Sequence, residues 1–101
     1  MVLTERIQTE KLKSAINMLK VIAHPVRLAI VDLLTENKRM SILEIQEALN
    51  LEQAIASQQI TLMEDKGVLK SEKVGRNKYV SLRFPKMKNI VTCLENCCNE
   101  I

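Results

Sequence analysis

Residues 40–67, MSILEIQEALNLEQAIASQQITLMEDKG, constrain this chain more than any other stretch. Ile42, Ile45, Ala48 and Leu49 recur at helical spacing. Asn50 tolerates the left-handed conformation that ends a helix, and Leu51 supplies an apolar plug for the turn. A second helix then runs from about residue 52 to 66 and stops at Gly67. At ~100° per residue, Ile55, Ala56, Ile60, Leu62 and Met63 fall on one side of it. Gln53, Ala54, Ser57, Gln58, Thr61 and Asp65 fall on or near the other. A surface helix ordinarily exposes Lys and Glu. A face of small, neutral, hydrogen-bonding side chains suits base edges in a DNA major groove, where amides and hydroxyls match donors and acceptors. The same geometry also serves plain packing. Two readings therefore stand for this stretch alone, a DNA-reading helix-turn-helix and a helical hairpin with a polar outside.

The chain has 101 residues, the length of one domain. Hydrophobic residues reach 47%, but Tyr79 and Phe84 are the only aromatics, so the core must be aliphatic and methionine-rich. A domain of this size buries a modest share of its surface, and terminal helices with unused apolar faces would then point to a dimer. The net charge is +3 and unevenly spread. Residues 66–88 hold eight Lys or Arg against one acid, Glu72, while residues 25–65 hold three bases and seven acids. A local basic stripe steers a protein toward phosphate; the alternative is a solvated lysine surface. No apolar run approaches a membrane span, and the N-terminus lacks a signal-peptide core. The cytoplasm is the expected place, with the three cysteines reduced. No nucleophile–base pair, phosphate-cradling glycine loop or carboxylate pair suggests an enzyme, and no cofactor is implied.

In chain order, residues 4–23 read as a first helix. Ile7, Leu12, Ala15, Ile16, Leu19, Ile22 and Ala23 form its apolar stripe, and Thr4 is a candidate N-cap. His24-Pro25 breaks the chain, and Pro25 suits the first position of the next helix. That helix, residues 25–35, is apolar on most of its circumference and should be the central buried one. His24 reads as a cap or a packed ring, and Arg27 as a partner for a carboxylate or a phosphate. Ser41 and Glu44 form a capping box at the start of the helix-turn-helix. Residues 69–74 and 78–84 read as strands. Val80, Leu82 and Phe84 alternate with Tyr79, Ser81 and Arg83, and Gly75-Arg76-Asn77 supplies a turn of residues that accept positive φ. Lys73, Arg76 and Lys78 gather at its tip. A hairpin with a cationic tip, directly after a recognition-type helix, is a wing. Pro85 opens a last helix, 85–101, whose stripe of Met87, Ile90, Val91, Leu94, Cys98 and Ile101 runs to the chain end with nothing left to cover it.

These elements predict a mainly α fold with a small β-hairpin wing: one winged helix-turn-helix domain spanning 1–101. The helix-turn-helix occupies about 41–66, the wing about 69–84, and added helices about 4–23 and 85–101 serve dimerisation. The residues also resemble a family. LKVIAHPVRLAIVDLL is similar to the opening of the ArsR family of bacterial arsenic-repressor-like regulators, and LEQAIASQQITLMEDKGVLKSEKVGRNKYVSLR resembles its recognition helix and wing. The resemblance covers about residues 15–86. It implies a homodimeric repressor, paired through its terminal helices, that leaves a double-stranded operator on sensing a signal. By position, the implied DNA contacts are Gln53, Ala54, Ser57, Gln58 and Thr61 in the helix, and Arg76, Asn77 and Lys78 in the wing; Lys73 joins them from the basic tip.

Departures from the family pattern matter as much. Metal-sensing members carry Cys-x-Cys where Ser41 and Leu43 stand here, and a leucine cannot bind metal. The last helix has no histidine or aspartate to build the family's other metal site. Both common metal sites are therefore expected to be absent. The recognition helix has no Lys or Arg before Lys66, and Glu52 stands at its start, which leaves phosphate attraction mainly to the wing and the helix ends. Cys93, Cys97 and Cys98 remain. Cys93 and Cys97 are four residues apart and stack along one edge of the last apolar stripe, with Cys98 inside it. Packing at a seam, thiol or oxidant sensing and soft-metal binding are the three readings, packing the favoured one, since no cation within a turn would lower a thiol pKa. The competing class for the whole chain is a winged-helix protein-interaction module without DNA binding.

Overall fold

The computed structural model describes residues 2–101. Two short helices, α1 (Leu3–Arg6) and α2 (Thr9–Ile22), lead to α3 (Pro25–Glu36). A strand, β1 (Met40–Ser41), runs into α4 (Ile42–Leu49) and α5 (Gln53–Asp65). The hairpin β2 (Leu69–Val74) and β3 (Asn77–Leu82) follows, then a 3-10 turn (Pro85–Met87) and α6 (Lys88–Glu100). This is a mainly helical winged helix-turn-helix with a helix added at each end, as expected.

Local chemistry explains the boundaries. His24 is extended, as a residue before proline must be, and its Nδ1 accepts the Val26 N–H at 3.2 Å, capping α3 behind Pro25. Ser41 Oγ accepts the Glu44 N–H at 3.0 Å and Glu44 Oε1 accepts the Ser41 N–H at 2.9 Å, completing the capping box of α4. Asn50 ends α4 at φ 52°, ψ 49°. Leu51 N–H then reaches the Gln46 carbonyl at 2.9 Å, the bond that closes a helix end around a left-handed residue. Gly67, at φ 79°, ends α5 in the same way, with Val68 N–H on the Met63 carbonyl at 2.9 Å. Both helices of the central pair thus stop by one device, and in the second the flanking Val68 and Met63 are fully buried.

The core forms around α3, which packs against α2, α4, α5, α6 and β3. Ile30, Val31 and Leu34 point inward from it and meet Ile45, Ile60, Met63, Val68, Val80 and Met87. Fully burying a side chain such as Ile60 contributes about 1.5–3 kcal/mol.

Five expectations need correction. The first helix is interrupted at Ile7 and Gln8, both with extended ψ, and Thr4 lies inside α1 rather than capping it. The four residues of α1 bury nothing, so no packing carries the helix past β-branched Ile7 and Thr9. A third strand is present: β1 pairs antiparallel with β3, Met40 opposite Val80 and Ser41 opposite Tyr79, giving the order β1-β3-β2. Two residues are too few to show an alternating pattern. The hairpin turn is the two residues Gly75 and Arg76, since Asn77 already pairs with Val74, and only Gly75 takes a positive φ, 62°. Glycine at the first of two turn positions matches the twist of the flanking strands. The strand ends at Leu82, so Phe84 leaves the inward alternation and is 44% exposed. The last helix begins with a 3-10 turn, and α6 proper starts at Lys88.

Candidate nucleic-acid interface

The period of α5 sorts its side chains into a buried face and an open one. Ala56, Ile60 and Met63 are buried against the core, while Gln53, Ala54, Gln58 and Thr61 are exposed and Ser57 is half-buried. Ile55 does not join the core: it lies on the flank at 39% exposure, and Leu62 is half-buried beside it. The polar face is therefore as open as expected, and the apolar one narrower.

The wing comes back toward that open face. Gln53 and Ser57 of α5 line one cleft with Ile42, Leu43 and Gln46 of α4 and with Arg76, Asn77 and Lys78 of the hairpin. The tertiary fold thus brings five of the nine expected contact residues around one opening. Ala54, Gln58 and Thr61 lie on the outward side of the same helix, and Lys73 stands opposite Lys78 in the ladder.

Charge at the wing is not uniform. Glu72, the one acid of the basic stripe, is 3.6 Å from Arg39, and Arg39 also lies over the Tyr79 ring, 4.7 Å from its centre. Lys78 Nζ sits 2.6 Å from Glu64 Oε1. The Ser71 hydroxyl donates to Glu64 Oε2 at 2.9 Å. Among the described residues, Lys73 and Arg76 enter no ion pair. Sequence reasoning gave Glu64 no role. The only trace it left is its angular position on α5, beside Gln53 and Ser57.

Among the described residues Arg27 pairs with no carboxylate. Its Nε is buried without a hydrogen bond. Asp32 and Glu36 share its helix but project from the far side of it. Cys93, Cys97 and Cys98 are all exposed on the single chain. Cys93 pushes the Cys97 thiol above its ordinary range, first by charge repulsion and then through a shared hydrogen bond. The i, i+4 pair does meet, and meeting makes Cys97 harder to ionise. Among the described residues no three His, Cys, Asp or Glu side chains gather as a metal site requires, so the three thiols do not converge on one point.

A family model described as a helix-turn-helix domain matches residues 22–72. The chain is 35% identical over 89 residues to the transcriptional repressor PagR of Bacillus anthracis, covering 88% of this chain and 89% of that one. The crystal structure of PagR superposes with a TM-score of 0.78 at 34% identity, over 86% of this chain and 99% of the other. The chain belongs to the ArsR family. The transcriptional regulator HlyU of Vibrio vulnificus is 25% identical with a TM-score of 0.73, over 87% and 91% of the two chains. A homodimeric winged helix-turn-helix domain from Mycobacterium bovis, described as a possible ArsR-family regulator, shares the fold at a TM-score of 0.78 and 18% identity, over 99% and 92%. Within this ArsR-family chain, Ser41 spends its hydroxyl on the capping box and Leu43 is 58% exposed at the rim of the α4–α5 cleft.

Proposed function

We propose that this chain is a homodimeric repressor that reads a two-fold symmetric DNA site with α5 and grips the flanking backbone with its wing. The observation that carries the reading is the single cleft shared by the neutral face of α5 and the wing tip. Gln53, Ser57, Gln58 and Thr61 offer amides and hydroxyls to base edges, and Ala54 leaves room for close approach or for a thymine methyl. Lys73, Arg76 and Asn77 lie where a phosphate backbone or an adjacent minor groove passes, and such contacts position the protein without reading sequence. Two copies are needed because half-sites lie about one DNA turn apart. The apolar residues exposed on α2 and α6, Ile16, Leu19 and Leu94 among them, supply the pairing surface. This work belongs to the compartment that holds the DNA, and it needs neither a catalytic group nor a cofactor.

The test begins with selection of bound sequences from a random duplex pool by the native chain. Gln58→Ala should then change preference at particular base positions, with a loss of roughly 1–3 kcal/mol at those positions only. Arg76→Ala should weaken every sequence alike and reduce the magnitude of the salt slope by about 0.9. Identical effects of both variants on all sequences would sink this docking.

A further inference from the structure

The wing hairpin has two faces. Leu69, Ser71 and Lys73 of β2 share one face with Leu82, Val80 and Lys78 of β3, as the register and the period of two require. That face turns toward α5. At its open end Lys73 stands directly opposite Lys78, and like charges in such a pair destabilise a ladder. Glu64 sits at this point. It is the penultimate residue of α5 and is followed by Asp65, so two acids occupy a helix C-terminus, where the backbone dipole disfavours negative charge. A local rule broken in this way marks a position held by tertiary use. The use is visible in the contacts: one carboxylate oxygen, buried and without an aligned hydrogen bond, pairs by charge with Lys78 Nζ 2.6 Å away, and the other accepts the Ser71 hydroxyl at 2.9 Å. One side chain therefore ties the reading helix to both strands of the wing. The Glu64 side chain is only 20% exposed and that of Lys78 39%, so the pair is partly screened from water.

We infer that Glu64 is a positioning residue for DNA reading, which sets the wing at a fixed distance from α5, and that Lys78 serves this clamp instead of contacting phosphate. The inference rests on the DNA-reading function proposed above. It reverses the role that the family resemblance implies for Lys78. A lysine already neutralised by a carboxylate releases no counterion on binding DNA, so its loss should not change the number of phosphates neutralised. The clamp instead fixes the separation between base-reading and backbone-gripping groups. Its value is specificity, because a wing held at one distance rewards only those sites that satisfy helix and wing together.

The experiment compares the native chain with Glu64→Gln, Lys78→Ala and the double variant. Salt dependence and the ratio of specific to non-specific affinity are measured on the site selected by the native chain. Glutamine keeps an acceptor for Ser71 and releases Lys78. Glu64→Gln should therefore steepen the salt slope by about 0.9, as one freed cation meets a phosphate. Lys78→Ala and the double variant should keep the native slope. All three should lose specificity by about tenfold, the double variant no more than the singles, as one coupled unit predicts. A slope shallower by about 0.9 in both Lys78→Ala and the double variant would overturn the proposal, since Lys78 would then be a phosphate contact. A second readout needs no DNA: backbone order parameters of Gly75 and Arg76 in the free protein should fall in all three variants. Unchanged order in every variant would also overturn the clamp. If the native chain selects no site at all, DNA reading fails, and wing order alone then decides whether the clamp exists.

Discussion

The helix-turn-helix with its wing and the two terminal helices obey the same sequence grammar and end in different physical states. In the first region most apolar positions are satisfied within the chain, Leu43, Ile55 and Val74 being the ones left open. Ile45, Ala56, Ile60, Met63 and Val68 have no exposed surface, and every helix start or stop there finds a hydrogen-bonded closure except the N-cap of α5, where Glu52 makes no side-chain bond. In the second, apolar residues at equally regular spacing stay open: Leu19 is 47% exposed and Leu94 42%. Ala15, Met18 and Leu19 form one apolar groove with Phe84 and Ile90, and Leu28, Ala29, Val91 and Leu94 line another. An amphipathic stripe states only that a helix needs a partner surface. Whether the same chain supplies that surface depends on how many other elements surround the helix. The middle of this chain is enclosed on several sides, while α6 has α3 and the 3-10 turn as its main neighbours.

The sharpest way to separate the two regions is truncation in the enclosed one. Ile60→Ala should cost about 2–5 kcal/mol, as expected where a cavity opens in a fully packed site, measured by urea denaturation. A cost under about 1 kcal/mol would mean that this region is no better packed than the ends. A charge in the open region should act on assembly. Leu94→Glu should raise the dimer dissociation constant at least about thirtyfold, as loss of a central interface anchor does. Sedimentation at tens of micromolar should then show single chains with native helix content. A native chain that is already monomeric, or a variant that still pairs, would remove α6 from the interface.

The smallest effect concerns the capping box. The Ser41 backbone N–H, and then its hydroxyl, stabilise the charged form of Glu44 and hold its carboxyl below the usual range. A depressed folded value gives stability that is present above the unfolded value of about 4.3 and is lost as pH falls through the folded one. Thermal unfolding of the native chain should therefore lose a small increment on acidification below about pH 4 that Glu44→Gln does not lose. Parallel pH profiles for the two would show that the closure of α4 does not depend on this charge. Ser41→Ala, which removes the reciprocal bond, should cost about 1 kcal/mol at neutral pH.

Much of the fold could be read from the residues because short-range chemistry decides it. Pro25 after His24, Ser41 with Glu44, Asn50 and Gly67 each act within one or two turns of backbone, so their consequences appear at the expected places. The wing was legible because alternation and a glycine turn are local too, although the strand limits moved by one or two residues. β1 was not legible: Met40 and Ser41 are extended against β3, and that partner lies about forty residues away. Ile55 reads as core from its type and spacing, but the core reaches only part of the way around α5. The contact candidates on α5 were legible as an open polar face, and their convergence with Arg76, Asn77 and Lys78 was not.

Sequence alone determined most of the helical segments, where the central pair stops, the main apolar faces and the family they build, because propensity, capping and periodicity are properties of neighbouring residues. Tertiary structure decided what each face and charge is used for. Glu64, a helix-end acid of no evident purpose in the sequence, became the link between α5 and the wing. Lys78, an apparent phosphate contact, acquired a carboxylate 2.6 Å away. Arg27, an apparent ion-pair partner, was left with a buried Nε and no acceptor. A charge interacts with whatever folding brings within a few ångströms of it, and that neighbour is set by the path of the whole chain.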